Sequence, residues 1–314
     1  MKPLNRVCIV GAGSIGSLFA GHLATVADVS ILTRRIEHAE RLNQEGLLVS
    51  GKSEFRAQVQ AAAAANVLAD VDLVIIASKT VHVQKCLMGL KGHFPNALIM
   101  LAQNGLGCEA MVPSYGDWPV LSSVTFMAGT RHSDTHVEYE LDTPTWVGPW
   151  AGGHATFADA QRVEQLLLSA GLKAQAYEDV LPAQWSKLIF NAAINSIAAV
   201  TDVAICSRYT QREQPSDLGH LVHSMMEEGK NVAAACRVSL LQDPYEMLVQ
   251  AVDQYAVEGG GGRVPSMLAD VRAKRPTEID WITGAIVKAA NESGLAVPLH
   301  QTLYRLIKAR ENNW

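Results

Sequence analysis

RVCIVGAGSIGSLFAGHLA, residues 6–24, is the stretch that decides the fold of the first half of the chain. A short apolar run rich in β-branched residues ends at Val10, a glycine-rich turn follows, and apolar residues then recur with helical spacing. Strand, tight turn and helix in this order are the context in which a GxGxxG motif binds a dinucleotide. The stretch therefore predicts the first strand and helix of a dinucleotide-binding sheet.

The glycine-rich turn offers three features to a pyrophosphate. Gly11 suits the tight turn, Gly13 lets a phosphate approach the backbone, and Gly16 lets the helix pack closely on the strand. The start of the helix supplies N–H groups and the positive end of the helix dipole. The residues of this turn that are predicted to bind the cofactor are Gly11, Gly13, Ser14, Ile15 and Gly16.

The second predicted strand, DVSILTRR at residues 28–35, indicates which dinucleotide is bound. A cofactor with a free ribose 2′-hydroxyl usually meets an Asp or Glu about 20 residues after the glycines. Here the strand ends in Arg34 and Arg35, and the first carboxylate comes at Glu37. Because guanidinium groups suit a 2′-phosphate, NADP(H) is favoured over NAD(H). The alternative is a solvated pair of charges at a helix start.

Two later apolar strands also end in polar residues. VDLVIIASK ends at Lys79, and ALIMLAQNGLG reaches Asn104 shortly after its apolar run. Ligands of doubly wound sheets bind at the carboxyl ends of the strands, so both residues are expected at the cofactor site. Taken as isolated residues, both would more often be ordinary polar residues of a loop or turn.

The second half of the chain differs from the first in its periodicity. Further strands are predicted at 120–131, 136–143, 145–149 and 172–179, with a helix at 157–171. From about residue 180, helical segments are predicted at 182–200, 217–237, 243–256, 264–273, 277–293 and 300–311. At 314 residues the chain exceeds the usual single-domain size of about 100–200 residues. We therefore predict an α/β N-terminal domain with a Rossmann-type doubly wound sheet in residues 1–178, and an all-α C-terminal domain in residues 179–314. The glycines at 259–262 predict a flexible connection, either a gate near the site or a surface loop.

One predicted helix carries an unexpected polar stripe. Within the apolar WSKLIFNAAINSI, residues 185–197, Lys187, Asn191 and Asn195 recur every four residues and so share one face. We interpret this stripe as one wall of an active-site cleft. The alternative is a helix with one wet face, on which the lysine reaches out to solvent.

A second concentration of polar residues lies in RVPSMLADVRAKRPTEIDWITG, residues 263–284. It includes Ser266, Glu278 and Asp280. The segment PTEID also resembles a helix start, with proline in the first turn and acidic residues favourable to the helix dipole. That alternative explains the two acids without a chemical role, but it does not explain the stripe on the other helix.

The motifs together carry a family resemblance. GAGSIG, SKT, QNGLG, WSKLIFNAAINSIAAV and PSMLADVRAKRPTEIDWITG occur in this order and together resemble the ketopantoate reductases, the 2-dehydropantoate reductases of pantothenate biosynthesis. The resemblance spans essentially the whole chain. Its most specific parts are KLxxNxxIN and SMLxDxxxxRxTEID, which occur far less often by chance than the glycine motif.

The resemblance implies a role for each matching residue. Lys187 would be the general acid that protonates the carbonyl oxygen during hydride transfer, and Glu278 would support substrate binding and organise the catalytic residues. The other implied roles are substrate binding by Asn191, Asn195 and Ser266, a place between cofactor and substrate for Asn104, and cofactor binding by Arg34 and Lys79. The chemistry agrees, because hydride addition builds negative charge on oxygen that an ammonium stabilises and protonates.

One departure from the family pattern bears on the substrate. Family members commonly have an asparagine three residues before the serine, whereas this chain has Arg263. An arginine there either pairs with a substrate carboxylate or points to solvent. The natural substrate is therefore either ketopantoate or another branched 2-oxo acid. A non-catalytic NADP(H)-binding sensor is the third hypothesis, although it leaves the aligned lysine, asparagines and acid without a purpose.

Composition and charge exclude several other classes. The net charge of −5 does not provide the basic face that a nucleic-acid binder needs, and no run approaches the roughly 20 apolar residues of a membrane span. The five cysteines form neither CxxC nor metal-ligand spacing, which suggests free thiols in a reducing compartment. We expect a cytoplasmic protein acting on a small 2-oxo acid, with no metal site and no nucleic-acid or membrane partner. A homodimer and a monomer both stay open.

Overall fold

The chain folds into two compact units. The computed structural model describes residues 3–210, 216–257 and 262–314. The units are Met1–Gln103 with Cys108–Val180, and Asn104–Gly107 with Leu181–Trp314. The main break lies two residues after the predicted boundary at 178, and the prediction does not separate 104–107 from the first half. The α/β character of the first unit and the helical character of the second confirm the predicted fold class.

The first unit contains all the strands found in the described part of the chain. They are β1 Arg6–Val10, β2 Asp28–Leu32, β3 Leu47–Gly51, β4 Phe55–Ala57, β5 Gln60–Ala62, β6 Leu73–Ile76, β7 Leu98–Leu101, β8 Val120–Thr125, β9 Ala128–Ser133, β10 His136–Leu141, β11 Thr145–Pro149 and β12 Ala174–Ala176. Its α-helices are α1 Ser14–Leu23, α2 Ile36–Glu45, α3 Val83–Leu90 and α4 Phe157–Ser169.

The larger sheet is built around β1. Its strand order is β12-β11-β8-β7-β6-β1-β2-β5, and all neighbouring pairs are parallel except β8 with β11. The order β5-β2-β1-β6-β7-β8 is that of a doubly wound dinucleotide-binding sheet, in which the strand order reverses beside β1. Val7 to Ile9 are fully buried, as expected for a central parallel strand. The carboxyl ends of β1 and β6 therefore lie side by side at the switch point.

A smaller sheet, with strand order β4-β3-β10-β9, was not predicted. The stretch 120–131, predicted as one strand, divides at Thr125, so that β8 joins the larger sheet and β9 the smaller one. The alternation of β10 matches its prediction, because Val137, Tyr139 and Leu141 are buried. Helix α1 packs against this sheet so closely that a Cβ at Gly21 would lie 2.6 Å from the Val49 side chain.

The second unit is built around one long central helix. Its helices are α5 Leu181–Thr201, α6 Asp217–Ala235, α7 Pro244–Val257, α8 Ser266–Arg272, α9 Thr283–Glu292 and α10 Pro298–Glu311. Each of α6 to α10 contacts α5, which explains why apolar residues occur on nearly all sides of it. At Gly229 of α6, a Cβ would lie 2.8 Å from the Ile189 side chain, so small residues allow the close approach. No helix among the described residues is both long enough and apolar enough to cross a membrane.

The predicted helix at 277–293 is wrong in its first six residues, because α9 begins at Thr283. The main chain at 277–282 forms turns, with local hydrogen bonds to the Glu278 carbonyl and others to distant residues. Thr277 N donates to the carboxylate of Glu311, and the carbonyl of Trp281 accepts from Leu106 N. The helix-start interpretation of PTEID is therefore wrong. The glycine run is only partly described, because residues 258–261 lie outside the described ranges.

Two glycines of the first turn allow a matched test of packing. A Cβ at Gly16 would lie 1.9 Å from the Gly11 carbonyl oxygen, whereas a Cβ at Gly13 has no described atom within 4 Å. We expect Gly16→Ala to lower the free energy of unfolding by at least about 2 kcal/mol, because a backbone atom must move. Gly13→Ala should cost less than about 1 kcal/mol, the effect of a poorer helix N-cap. Urea unfolding of both variants measures this, and equal midpoints would contradict the packing argument.

Candidate active site

The glycine turn of the first unit is pressed against the end of β6. Gly11 has φ +104°, and a Cβ there would lie 2.9 Å from the backbone nitrogen of Ser78. Only a glycine adopts this conformation readily at such a distance. Gly11 N donates to the Leu32 carbonyl at the end of β2, which also ties the turn to the other neighbouring strand. The turn after β1 is therefore held between the ends of its two neighbouring strands, β2 and β6.

The start of α1 is open toward the space in front of Gly13. Gly13 is the N-cap residue, and its carbonyl accepts from Ser17 N at 2.8 Å. Gly13 has no side chain that could cap the first-turn N–H groups or fill the space around it. These N–H groups belong to Ser14, Ile15 and Gly16. This open cradle with unfilled N–H donors fits the pyrophosphate of a dinucleotide.

The two arginines after β2 have different partners. Arg34 is exposed, and its Nη1 lies 3.4 Å from His82 Nε2, an atom that must accept because a guanidinium only donates. Arg35 donates to Asp134 Oδ1 at 2.6 Å, between β9 and β10. The expectation that both guanidiniums are ready for one phosphate is therefore wrong for Arg35. Arg34 is the better candidate, and sequence reasoning missed His82 beside it.

Lys79 and Gln103 follow β6 and β7. Lys79 is half-buried and precedes a short 3-10 turn at Thr80–His82. The Gln103 amide donates to the carbonyls of Ile76 and Ser78, at 2.7 and 2.9 Å. Gln103 thus cross-links the two strand ends and shapes the segment that carries Lys79. This role was not apparent from the sequence, since a glutamine at a strand end has many possible partners.

The polar stripe of α5 holds a lysine whose pKa is strongly shifted. Lys187 lies on the first half of the helix and keeps some exposed surface. Burial nevertheless lowers the pKa of Lys187 from its ordinary value near 10.5 to about 8, although the Glu278 carboxylate acts in the opposite direction. The ammonium is therefore present at neutral pH and gives up its proton far more readily than a surface lysine.

Glu278 is buried, with 7% of its surface exposed, and it is contacted by Asn104. Asn104 Nδ2 donates to Glu278 Oε2 at 3.3 Å. The segment of Asn104 is fixed to the same turn, because Leu106 N donates to the Trp281 carbonyl at 3.1 Å. Gly105, at φ +91°, permits this contact, since a Cβ would lie 2.2 Å from that carbonyl oxygen. The structure thus places Asn104, predicted from the sheet topology, with the predicted acid of the helical unit.

The asparagines of the stripe bond to each other and to α8. Asn195 Nδ2 donates to Asn191 Oδ1 at 3.4 Å, and both side chains are buried. Asn195 Oδ1 accepts from Ser266 Oγ at 3.4 Å and from Met267 N at 3.2 Å, which satisfies a donor at the start of α8. The structure therefore brings Asn191, Asn195 and Ser266 together. Part of the stripe has a structural role that the sequence did not reveal.

Arg263 lies just before α8 and is held by its main chain. It forms an antiparallel bridge with Ile205, with N···O distances of 3.1 and 2.9 Å. Gly262 precedes it at φ +101°, where a Cβ would lie 2.6 Å from the Ile205 carbonyl oxygen. The position of the Arg263 main chain is thus well defined, and its side chain is partly exposed.

The comparisons with known proteins agree along nearly the whole chain. Residues 7–152 match the family model of ketopantoate reductase PanE/ApbA, and residues 179–311 match the model of its C-terminal part. The curated 2-dehydropantoate 2-reductase of Bacillus subtilis is 30% identical over 321 residues, which cover 98% of each chain. That of Pyrococcus horikoshii is 28% identical over 307 residues, again covering 98% of each chain.

Solved structures share the fold. A ternary structure of D-mandelate dehydrogenase with NADH and anilino(oxo)acetate matches with a TM-score of 0.85 at 23% identity, over 98% of this chain and 99% of that chain. The dimeric ketopantoate reductase of Staphylococcus aureus matches with a TM-score of 0.76 at 20% identity, over 98% and 99%. At these identities the likeness shows the fold alone.

Family models that cover both units, together with relatives of full length, make the chain an oxidoreductase rather than a sensor without catalysis. The motifs that carried the resemblance lie within the matched ranges. The chain belongs to the ketopantoate reductase family.

Proposed function

We propose that this enzyme reduces 2-dehydropantoate (ketopantoate) to pantoate with NADPH, the reaction of pantothenate biosynthesis, with Lys187 as the general acid. The observation that carries the proposal is the half-buried Lys187 on α5, whose pKa is lowered by burial and balanced by Glu278. An acid of this kind is needed when a ketone becomes an alcohol near neutral pH. The curated relatives in the comparison are named for this reaction.

The proton-transfer step follows from the chemistry of these groups. The nicotinamide, when bound, supplies the hydride to the ketone carbon. Lys187 Nζ stabilises the growing negative charge on the ketone oxygen and then gives it a proton. Glu278 keeps the lysine protonated before the reaction, because a nearby carboxylate favours the ammonium. Asn104 orients Glu278 by donating to its Oε2.

The first unit has the groups to hold the cofactor. The open cradle at Gly13 and the N–H groups at the start of α1 suit the pyrophosphate. Arg34 and Lys79 would bind the phosphates and the adenosine end of the cofactor. Arg34 also supports the choice of NADP(H) over NAD(H), because it lies at the position where NAD-dependent enzymes carry an acidic residue. The NADH in the related D-mandelate dehydrogenase supports a pyridine nucleotide without deciding the 2′-phosphate.

The substrate would be bound by uncharged amides and a hydroxyl. Asn191, Asn195 and Ser266 lie together and provide donors and acceptors for a hydroxyl and a carboxylate. Arg263 would add a guanidinium for the carboxylate. The alternative is another branched 2-oxo acid, which is supported by Arg263 and by the fold shared with an enzyme solved with anilino(oxo)acetate.

The dimeric relative supports a homodimer, which light scattering would distinguish from a monomer.

A substrate panel tests the proposed reaction. Ketopantoate should give the highest kcat/KM with NADPH, followed at 340 nm, among branched 2-oxo acids of similar size. Arg263→Ala should raise KM for the acid about 10-fold or more, the effect of losing one charge-assisted hydrogen bond, and leave KM for NADPH unchanged. A higher kcat/KM for another acid would keep the mechanism and replace the substrate. Tight binding of NADPH with no turnover of any acid would contradict the proposal.

The two arginines after β2 allow a matched test of cofactor choice. Arg34→Ala should lower kcat/KM for NADPH about 10–100-fold and hardly change it for NADH, because only NADPH carries the 2′-phosphate. Arg35→Ala is the control, since Arg35 is paired with Asp134 and should leave the ratio near the wild-type value. The assignment of Arg34 is wrong if both variants keep the same preference.

The pH dependence of reduction tests the proton donor. Lys187 must be protonated to act, and its pKa is about 8, so activity should be full below this pH. As the pH rises through and above 8, kcat/KM should fall about tenfold per unit, which follows the ammonium fraction. Glu278→Gln removes the carboxylate that raises the pKa of Lys187 and should move this fall to lower pH, whereas Glu292→Gln at an exposed position of α9 should not. A profile flat to pH 10 would exclude Lys187 as the acid.

A further inference from the structure

The turn that carries Glu278 is held on one side by α10. Thr277, immediately before the acid, donates from its main-chain N at 2.8 Å and from Oγ1 at 2.7 Å, both to Glu311 Oε1. Thr277 is almost fully buried. Its hydroxyl also accepts from Ile279 N at 3.3 Å. Thr277, which Glu311 holds, is therefore also bonded to the residue that follows Glu278.

The same helix holds the turn at a second point. Asp280 accepts from Tyr304 OH at 2.8 Å and from Lys308 Nζ at 3.0 Å. Lys308 Nζ also lies 3.3 Å from Glu311 Oε2, so one ammonium joins the two anchoring carboxylates. Burial by itself would lower the pKa of Lys308, but Asp280 and Glu311 outweigh it and raise the pKa. The hydrogen bond to Asp280 likewise raises the pKa of Tyr304. Both donors therefore keep their protons throughout the neutral range.

Helix α10 is also fixed to the helix that carries Lys187. Arg310 Nη1 donates to the carbonyl of Ala199 at 2.9 Å, in the last turn of α5. The hydroxyls of Ser196 on α5 and Thr283 at the start of α9 lie 2.6 Å apart in the core. Adjacent residues of α10, Arg310 and Glu311, thus bind the main chain of α5 and the main chain of the turn that carries Glu278.

We propose that Glu311 is a positioning residue: by binding Thr277 through two hydrogen bonds, it fixes the main chain that sets the distance of Glu278 from Lys187. This inference rests on the proposed function of that pair. Glu311 itself touches neither the reacting groups nor, in the proposal, the substrate. Its effect is transmitted through Thr277, because Thr277 is the neighbour of Glu278 in the main chain and the buried Glu278 side chain, which accepts from Asn104, has little freedom to compensate for a shift.

The distance matters because the electrostatic interaction between two charges falls with separation and is weakened little by solvent when both are partly buried. If the turn moves away, Glu278 favours the ammonium less and Lys187 loses its proton at a lower pH. The charged groups around this arrangement include Glu278 itself, Asp280 in the turn, Lys308, Arg310 and Glu311 on α10, and the Asp270–Arg275 ion pair beside the turn.

The test compares three variants of the full chain. Glu311→Ala removes the acceptor, and Glu311→Gln keeps an amide oxygen that can accept both bonds from Thr277. Glu292→Ala is the matched control, because it deletes a glutamate whose ion pair with Lys288 is exposed on α9. Two readouts are measured for each: the pKa of Lys187 by NMR titration of ¹³C-labelled lysine, assigned with Lys187→Arg, and the pH profile of kcat/KM.

We expect Glu311→Ala to move both the Lys187 titration and the alkaline fall of kcat/KM to lower pH, with about a threefold loss at pH 8.5 if the pKa falls by about 0.5. Glu311→Gln should restore most of the wild-type profile, and Glu292→Ala should match the wild type. A folded Glu311→Ala variant with an unchanged Lys187 titration would overturn the proposal, as would a glutamine variant as impaired as the alanine one.

A milder variant serves if Glu311→Ala does not fold. Thr277→Val removes one of the two hydrogen bonds to Glu311, together with the acceptor of Ile279 N, and keeps the main-chain bond to Glu311, so the shift should be smaller and in the same direction. No shift in the folded valine variant would overturn the proposal. The NMR titration does not depend on turnover. A wild-type enzyme that reduces no 2-oxo acid would therefore refute the proposed function, while the titrations would still decide the role of Glu311.

Discussion

The ammonium of Lys187 within an apolar helix is the constraint on which the second unit depends. Burial makes its charge costly, and the neighbouring carboxylate of Glu278 limits this cost without abolishing it, so that the pKa comes to about 8. A buried carboxylate has to be held in place, and Asn104 contributes to that by donating to it. The polar residue at position 187 of α5, the buried acid in the turn before α9 and the contact of Asn104 with that acid all relate to this one pair.

Structural and chemical demands meet in the same residues. Asn195 belongs to the proposed substrate site, yet its Oδ1 also caps the start of α8 by accepting from Met267 N. Gly16 is needed for packing, whereas Gly13 leaves space that no described atom fills. Two glycines of one motif are thus required for different reasons. A family motif therefore cannot be divided cleanly into residues for folding and residues for catalysis.

Local patterns predicted much of this molecule. The glycine turn between β1 and α1, the central parallel strands and the helices α5, α6, α7 and α10 were predictable because period and turn residues act over short distances. The stripe of Lys187, Asn191 and Asn195 was visible for the same reason. The features that were missed depend on distant partners: the smaller sheet needs β3 to meet β10, and Asn104 joins Glu278 across 174 positions. The start of α9 was also missed, because the turn before it is bonded to distant residues: Thr277 N donates to Glu311, and the Trp281 carbonyl accepts from Leu106 N.

The central claim is that Lys187 delivers the proton to the reduced substrate, and replacing this group most directly tests it. Oxidation of NADPH at 340 nm should be measured with ketopantoate for the wild type and for Lys187→Ala, with and without added ethylamine. We expect a loss of roughly 10²–10⁴-fold in turnover, unchanged NADPH binding, and partial recovery with the amine as a substitute donor. Near-normal turnover by Lys187→Ala without added amine would contradict this claim.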